Sequence, residues 1–141
     1  MKNVKILLMA GAISIFATAL EATDTSTFRD AQGRTLGTET RTGNTSVFRD
    51  AQGRVTATAI TNGNVTYYRD AQGRMIGTKT VQGNQAVYRN EQGQIVKMES
   101  ISGNTSTYRD AQGRTLGTET RDSSGAATLR DAQGRTIGTK H

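Results

Sequence analysis

The heptapeptide Phe28-Arg29-Asp30-Ala31-Gln32-Gly33-Arg34 decides the fold, because it recurs along most of the chain. It returns as Phe48–Arg54, Tyr68–Arg74, Tyr108–Arg114 and Leu129–Arg135, with a degenerate copy from Tyr88 to Gln94. The spacing is 20 residues until the last copy, where it is 21. A second marker, Gly43-Asn44, recurs as Gly63-Asn64, Gly83-Asn84 and Gly103-Asn104, and Asp122–Ala126 replaces it at the final joint. A short fixed period of this kind predicts one supersecondary unit written six times.

The local chemistry of the unit is strand, turn, strand. Val65–Arg69, Val55–Ile60 and Met75–Thr80 are rich in β-branched or aromatic residues, which suit a pleated surface. In Asp-Ala-Gln-Gly, the aspartate can accept from an amide two residues on, and glycine can take the left-handed conformation of a type I turn with a G1 bulge. Structural turn roles therefore fall to Asp30, Gly33, Asp50, Gly53, Asp70, Gly73, Asp110, Gly113, Asp131 and Gly134. The Gly-Asn pairs predict the tight turns at the other end. Proline is absent, so every strand residue can donate to a ladder.

Two columns of apolar residues recur. Phe28, Phe48, Tyr68, Tyr88, Tyr108 and Leu129 form one; Leu36, Thr56, Ile76, Val96, Leu116 and Ile137 form the other. Alternation assigns both columns to an inner face, and Gly37, Gly77, Gly117 and Gly138 to the opposite one. Two apolar positions cannot stabilise a lone hairpin, so the units must stack on one another. The predicted class is all-β: six hairpins in an antiparallel meander or barrel-like shell. The alternative is a two-sided β-solenoid, with like positions stacked at ~4.8 Å into ladders of glutamine and asparagine.

The chain has 141 residues, 33% of them hydrophobic, and a net charge of +6. That apolar share is low beside the roughly 45–50% (glycine included) of ordinary domains. With no cysteine, disulfides, thiolate metal sites and cysteine nucleophiles are excluded. The single histidine is His141. Nucleophile–base pairs, metal-ligand clusters and phosphate loops are missing from the pattern. The sequence thus predicts no enzyme, no cofactor, no metal and no small-molecule substrate.

Lys2 and Lys5 precede an apolar run from Ile6 to Phe16, and Ala17-Thr18-Ala19 has the small-x-small form of a signal peptidase site. The predicted organisation is a signal peptide at 1–19 (or a cut after Ala22), a short leader at 20–24, and one β-repeat domain at 25–141. The apolar run is shorter than the roughly 20 residues of a membrane-spanning helix, so no transmembrane helix is expected after cleavage. The expected location is bacterial and secreted, periplasmic or on the cell surface.

The repeated aromatic-x-Asp-x-x-Gly-Arg, with a second glycine near the half-period, resembles the YD repeats of the RHS family. That resemblance implies β-hairpins winding into a shell. In this chain the aromatic stands two residues before Asp, with an arginine between, and the length and toxin domain of long RHS proteins are lacking. A looser architectural similarity links it to curli-type secreted repeat proteins.

Three function classes follow. The first is an exported, non-enzymatic protein with a structural or cell-surface interaction role. The second is a self-assembling amyloid-like fibre or biofilm matrix subunit, for which the partner is the chain itself. The third is a polyanion-binding surface protein, with contacts from Arg29, Arg49, Arg69, Arg89, Arg109 and Arg130.

Overall fold

The computed structural model describes residues 23–141, so the export segment and both candidate cleavage sites lie outside the described residues. Twelve antiparallel strands follow one another around the fold. The first six are β1 (Asp24–Asp30), β2 (Thr35–Thr42), β3 (Thr45–Asp50), β4 (Val55–Asn62), β5 (Val65–Asp70) and β6 (Met75–Gln82). They continue as β7 (Gln85–Asn90), β8 (Ile95–Ser102), β9 (Thr105–Arg109), β10 (Thr115–Arg121), β11 (Ala127–Asp131) and β12 (Thr136–Lys140). Each pairs with its sequence neighbour, and β12 pairs with β1 to close a barrel.

The seam repeats the register used within the chain. Phe28 faces Lys140 and Asp30 faces Gly138, as Phe48 faces Glu39 and Asp50 faces Gly37. The seam also carries two backbone bonds between Thr27 and His141, at 2.7 and 3.0 Å. Six units therefore complete a ring whose seam keeps the register of the other junctions over a shorter ladder, with three partner pairs against six between β2 and β3, and has no connecting turn. Closure removes the unpaired sheet edge that an open meander would expose. The solenoid alternative is overturned, because like positions lie two strands apart and cannot form single-strand-spaced amide ladders.

The five Asp turns and the equivalent Asn90 turn gather at one rim of the barrel. At Gly33 the backbone is left-handed (φ 81°), the Gly33 amide donates to the Asp30 carbonyl at 3.0 Å, and the Asp30 amide donates to Arg34 at 2.9 Å. The opposite rim holds the Gly-Asn turns. There Asn44, Asn64 and Asn104 donate their side-chain amides to the carbonyls of Thr61, Val81 and Arg121, tying each turn to the following hairpin.

One expectation about the core is corrected. Beyond each Asp turn the ladder slips by one residue: Arg29 faces Thr35, but Phe28 faces Gly37, leaving Leu36 as the extra residue of a β-bulge. The same slip occurs in all six hairpins. Cross-strand partners share a face, so the glycine column joins the aromatic column inside. Most of the Leu/Ile column is displaced to the rim, where Leu36, Leu116 and Ile137 are 38%, 45% and 37% exposed, whereas Ile76 stays half-buried against the core.

The reason is volume. A closed interior already filled by five rings has little room for a leucine opposite each ring. Gly37 makes this explicit, because a β-carbon there would collide with the backbone carbonyl of Arg49 on β3. Alanine fills the equivalent place at Ala57, and the Lys97 side chain fills it at β8. Beside Lys97, Asp110 falls outside β9, and the β8–β9 ladder begins only at Met98 with Arg109.

Candidate functional site

Three features of the barrel carry chemistry: its interior, the mouth at the seam, and the arginine rim. The interior is built in two layers. Toward the Asp-turn rim sit Phe28, Phe48, Tyr68, Tyr88 and Tyr108, all at most 9% exposed, with half-buried Leu129 completing the series. Toward the other rim the inward positions of the even-numbered strands are Glu39, Ala59, Lys79, Glu99, Glu119 and Lys140, likewise buried, facing small residues such as Ser46, Ala86 and Ala127. Sequence reasoning did not find this charged layer. Its signal is a position two residues beyond the buried Gly/Ala/Lys column, readable only once the bulge is placed.

All of the buried charges but Lys97 are paired around the ring. Lys140 meets Glu39 at 3.1 Å across the seam, and Glu39 also accepts from Ser46 at 2.9 Å. Lys79 meets Glu99 at 3.1 Å, and Glu99 accepts from the Tyr88 hydroxyl at 2.8 Å. Arg121 meets Glu119 at 2.6 Å, and Tyr108 donates to Glu119 at 3.2 Å. Such pairing is what allows ionised groups to remain away from water.

Local field decides each protonation state. Burial pushes the Glu99 carboxyl up, but the Lys79 ammonium and the donors around it outweigh that, and the net shift is downward. At Glu119 burial wins over Arg121 and Lys140, and the carboxyl is raised. Burial, then the carboxylates Glu39 and Glu99, lift the Tyr68 phenol above its ordinary value.

Lys97 is the unusual member. It stands in the aromatic layer, its ammonium nitrogen 4.0 Å from the Tyr88 ring centre and 4.5 Å from that of Tyr108, and it makes no hydrogen bond. Burial pulls its pKa down to about 7; Lys79 adds to this, while Glu99 and Glu119 oppose it. Ring quadrupoles stabilise the cation without supplying an acceptor.

This has a measurable consequence. The folded pKa lies below the unfolded value, so the unfolded chain binds the extra proton between about pH 7 and 10. Stability from this group therefore rises with pH across that window, by at most about 1.4 kcal/mol per unit. Lys97→Met should flatten that rise and stabilise the barrel at pH 6–7, as read by urea denaturation at several pH values. A Lys97→Met profile parallel to that of the parent would contradict the assignment.

At the Gly-Asn mouth, next to the seam, lies an open cavity of about 460 Å³. Glu39, Lys140, Arg41, Arg121, Asp122 and His141 contribute to its wall. The Asp122–Ala126 turn, which breaks the repeat, forms part of this wall. Asp122 accepts there from the Ser124 hydroxyl at 2.6 Å and the Ser124 amide at 2.8 Å.

The rim of Asp turns is a separate site. In each intact turn the aspartate accepts from two amides, as Asp30 does from Gln32 and Arg34, both at 2.9 Å. Its other oxygen meets the Arg34 guanidinium at 2.7 Å. The equivalent pairs are Asp50–Arg54, Asp70–Arg74, Asp110–Arg114 and Asp131–Arg135, at 2.6–2.8 Å. Desolvation would raise the Asp30 carboxyl, but the Arg34 amide and guanidinium and the Gln32 amide hold it below its ordinary range.

The inner arginine series, Arg29, Arg49, Arg69, Arg89, Arg109 and Arg130, also belongs to this rim. Each donates to the carbonyl of its own turn glycine, at 3.0–3.4 Å. The ion pairs at this rim thus lie within single turns and do not link neighbouring strands.

Residues 49–85 match the family model of the RHS repeat. Over that stretch the chain is similar to the RHS repeat. The matched stretch holds two complete RHS turns, at Asp50 and Asp70, and the other units carry the corresponding positions. RHS repeats are structural units and occur in cell-surface or secreted proteins. A comparison with curated proteins finds no match. Among the described residues no helix is long and apolar enough to cross a membrane.

Proposed function

We propose that the chain is an exported, non-enzymatic shell with a structural or cell-surface interaction role. The observation that carries this reading is the division of labour in the barrel. Most interior charges are held in ion pairs within the barrel or at its mouth, with Lys97 resting on two aromatic rings, while the repeated surface chemistry is gathered on one rim. RHS units of a structural kind support the same reading.

Export rests on the basic start, the short apolar run and Ala17-Thr18-Ala19. In a bacterial host carrying a C-terminally tagged full chain, the product should fractionate to periplasm, surface or medium. Its intact mass should begin at Leu20, or at Thr23 for the alternative cut. A cytosolic product retaining Met1 would overturn the export assignment.

Ring closure favours a discrete shell over a fibre subunit, because all twelve strands have two partners. The mature protein should stay monomeric at high concentration, without a 4.7–4.8 Å cross-β reflection. A second reading, contact with a polyanion, is favoured by the clustering of both arginine series at one rim.

A further inference from the structure

The Asp-turn rim combines charge with exposed aliphatic surface. Eleven of the chain's arginines stand there with five aspartates and Glu91, leaving five net positive charges. Among the described residues this is the whole net charge: the interior holds three lysines and three glutamates, and the other rim balances Arg41 and Arg121 with Asp24 and Asp122. The outer arginines paired to aspartate keep 76–78% of their side-chain surface exposed. The distribution is a horseshoe, because the fourth unit replaces aspartate by Asn90 and arginine by Gln94 and adds Glu91.

Beside this charge lies the displaced apolar column. The first two residues of each even-numbered strand include at least one large apolar side chain in all six units: Leu36, Val55, Met75 with Ile76, Ile95 with Val96, Leu116 and Ile137. Leu36, Val55, Ile95, Leu116 and Ile137 are 37–45% exposed. These make up five of the seven large hydrophobic residues exposed on the described surface.

We infer that this rim docks on an anionic lipid bilayer, with the barrel seated end-on. The assignment rests on the surface-interaction reading above and names its partner. A circular rim presents its charges to a plane, whereas a linear polyanion would meet only an arc of it. Exposed leucine and isoleucine at the same rim as the guanidinium groups gain nothing from phosphodiester or sulfated chains, which are read by charge, hydrogen bonds and aromatic stacking. They do gain from the boundary between headgroups and acyl chains, where basic and aliphatic side chains act together. The contact is peripheral: the strands have five to eight residues, short of the roughly 9–11 that cross a bilayer.

The test uses the chain of residues 20–141 with phosphatidylcholine vesicles containing or lacking 30% phosphatidylglycerol. Expected is flotation with the anionic vesicles, at least tenfold weaker binding to neutral ones, and loss in high salt. Leu116→Trp should shift its fluorescence to the blue and be quenched by shallow brominated lipid; Ile60→Trp, away from the rim, should do neither. Arg34→Gln with Arg74→Gln and Arg135→Gln should weaken binding at least fivefold, with folding checked by circular dichroism.

Equal binding to both vesicle types, or an unshifted Leu116→Trp, overturns the inference. So does tighter binding to heparin or duplex DNA than to anionic vesicles. A surface-located chain that ignores vesicles defeats only the bilayer assignment. A cytosolic chain defeats the surface reading whatever the vesicles show.

Discussion

Glu99→Leu should destabilise the barrel by about 3–5 kcal/mol, the range for breaking one side of a buried ion pair. Glu99 is 2% exposed and joins the Lys79 ammonium at 3.1 Å to the Tyr88 hydroxyl at 2.8 Å. Removing the carboxylate leaves the Lys79 charge, 5% exposed, without its counter-ion and near a second buried cation, Lys97. It also leaves the Tyr88 hydroxyl without its carboxylate acceptor.

The double variant Glu99→Leu with Lys79→Met should recover most of the loss, because neither charge is then stranded. Urea denaturation of the parent, both single variants and the double variant completes the cycle. A cost below about 1 kcal/mol for Glu99→Leu, or a double variant as weak as the worse single, would refute a dry, coupled pair.

Gly117→Val should cost about 3 kcal/mol, the upper part of the usual overpacking range. Gly117 faces Tyr108 on β9 and Asp131 on β11, and a β-carbon there would strike the backbone carbonyl of Arg130. Ala57 holds the corresponding place between Phe48 and Asp70, so one methyl can be absorbed by a small strand shift. A larger side chain needs more, and beside Lys97, which fills the place in the fourth unit, the adjacent pairing is shortened.

Gly117→Ala should therefore cost well under half as much as Gly117→Val. Backbone amides of β10 and β11 nearest the Asp turn should exchange faster in the valine variant. Equal costs for alanine and valine would argue that backbone freedom, not crowding, explains glycine here.

The period, the six hairpins and the antiparallel shell were legible because they rest on contacts close in sequence. A turn closes over four or five residues, so Asp30 to Arg34 already contain the groups that define it. What went astray was the face of the strands beyond the turn. Simple alternation puts Leu36 opposite Phe28, and the one-residue slip at the bulge puts Gly37 there instead. A slip of one residue reverses the assignment of side chains to faces. The charged layer from Glu39 to Lys140 was hidden for the same reason.

By itself, then, the sequence determined the hairpin unit, its number and its all-β character, through turn chemistry and strand composition acting over a few residues. Only the tertiary structure decided that the sixth hairpin returns to the first. It alone placed glycine inside and aliphatic residues at the rim, and gathered eleven arginines around one mouth. These follow from closure: a ring has a finite interior, and the volume left between its aromatic side chains selects which residues can face inward.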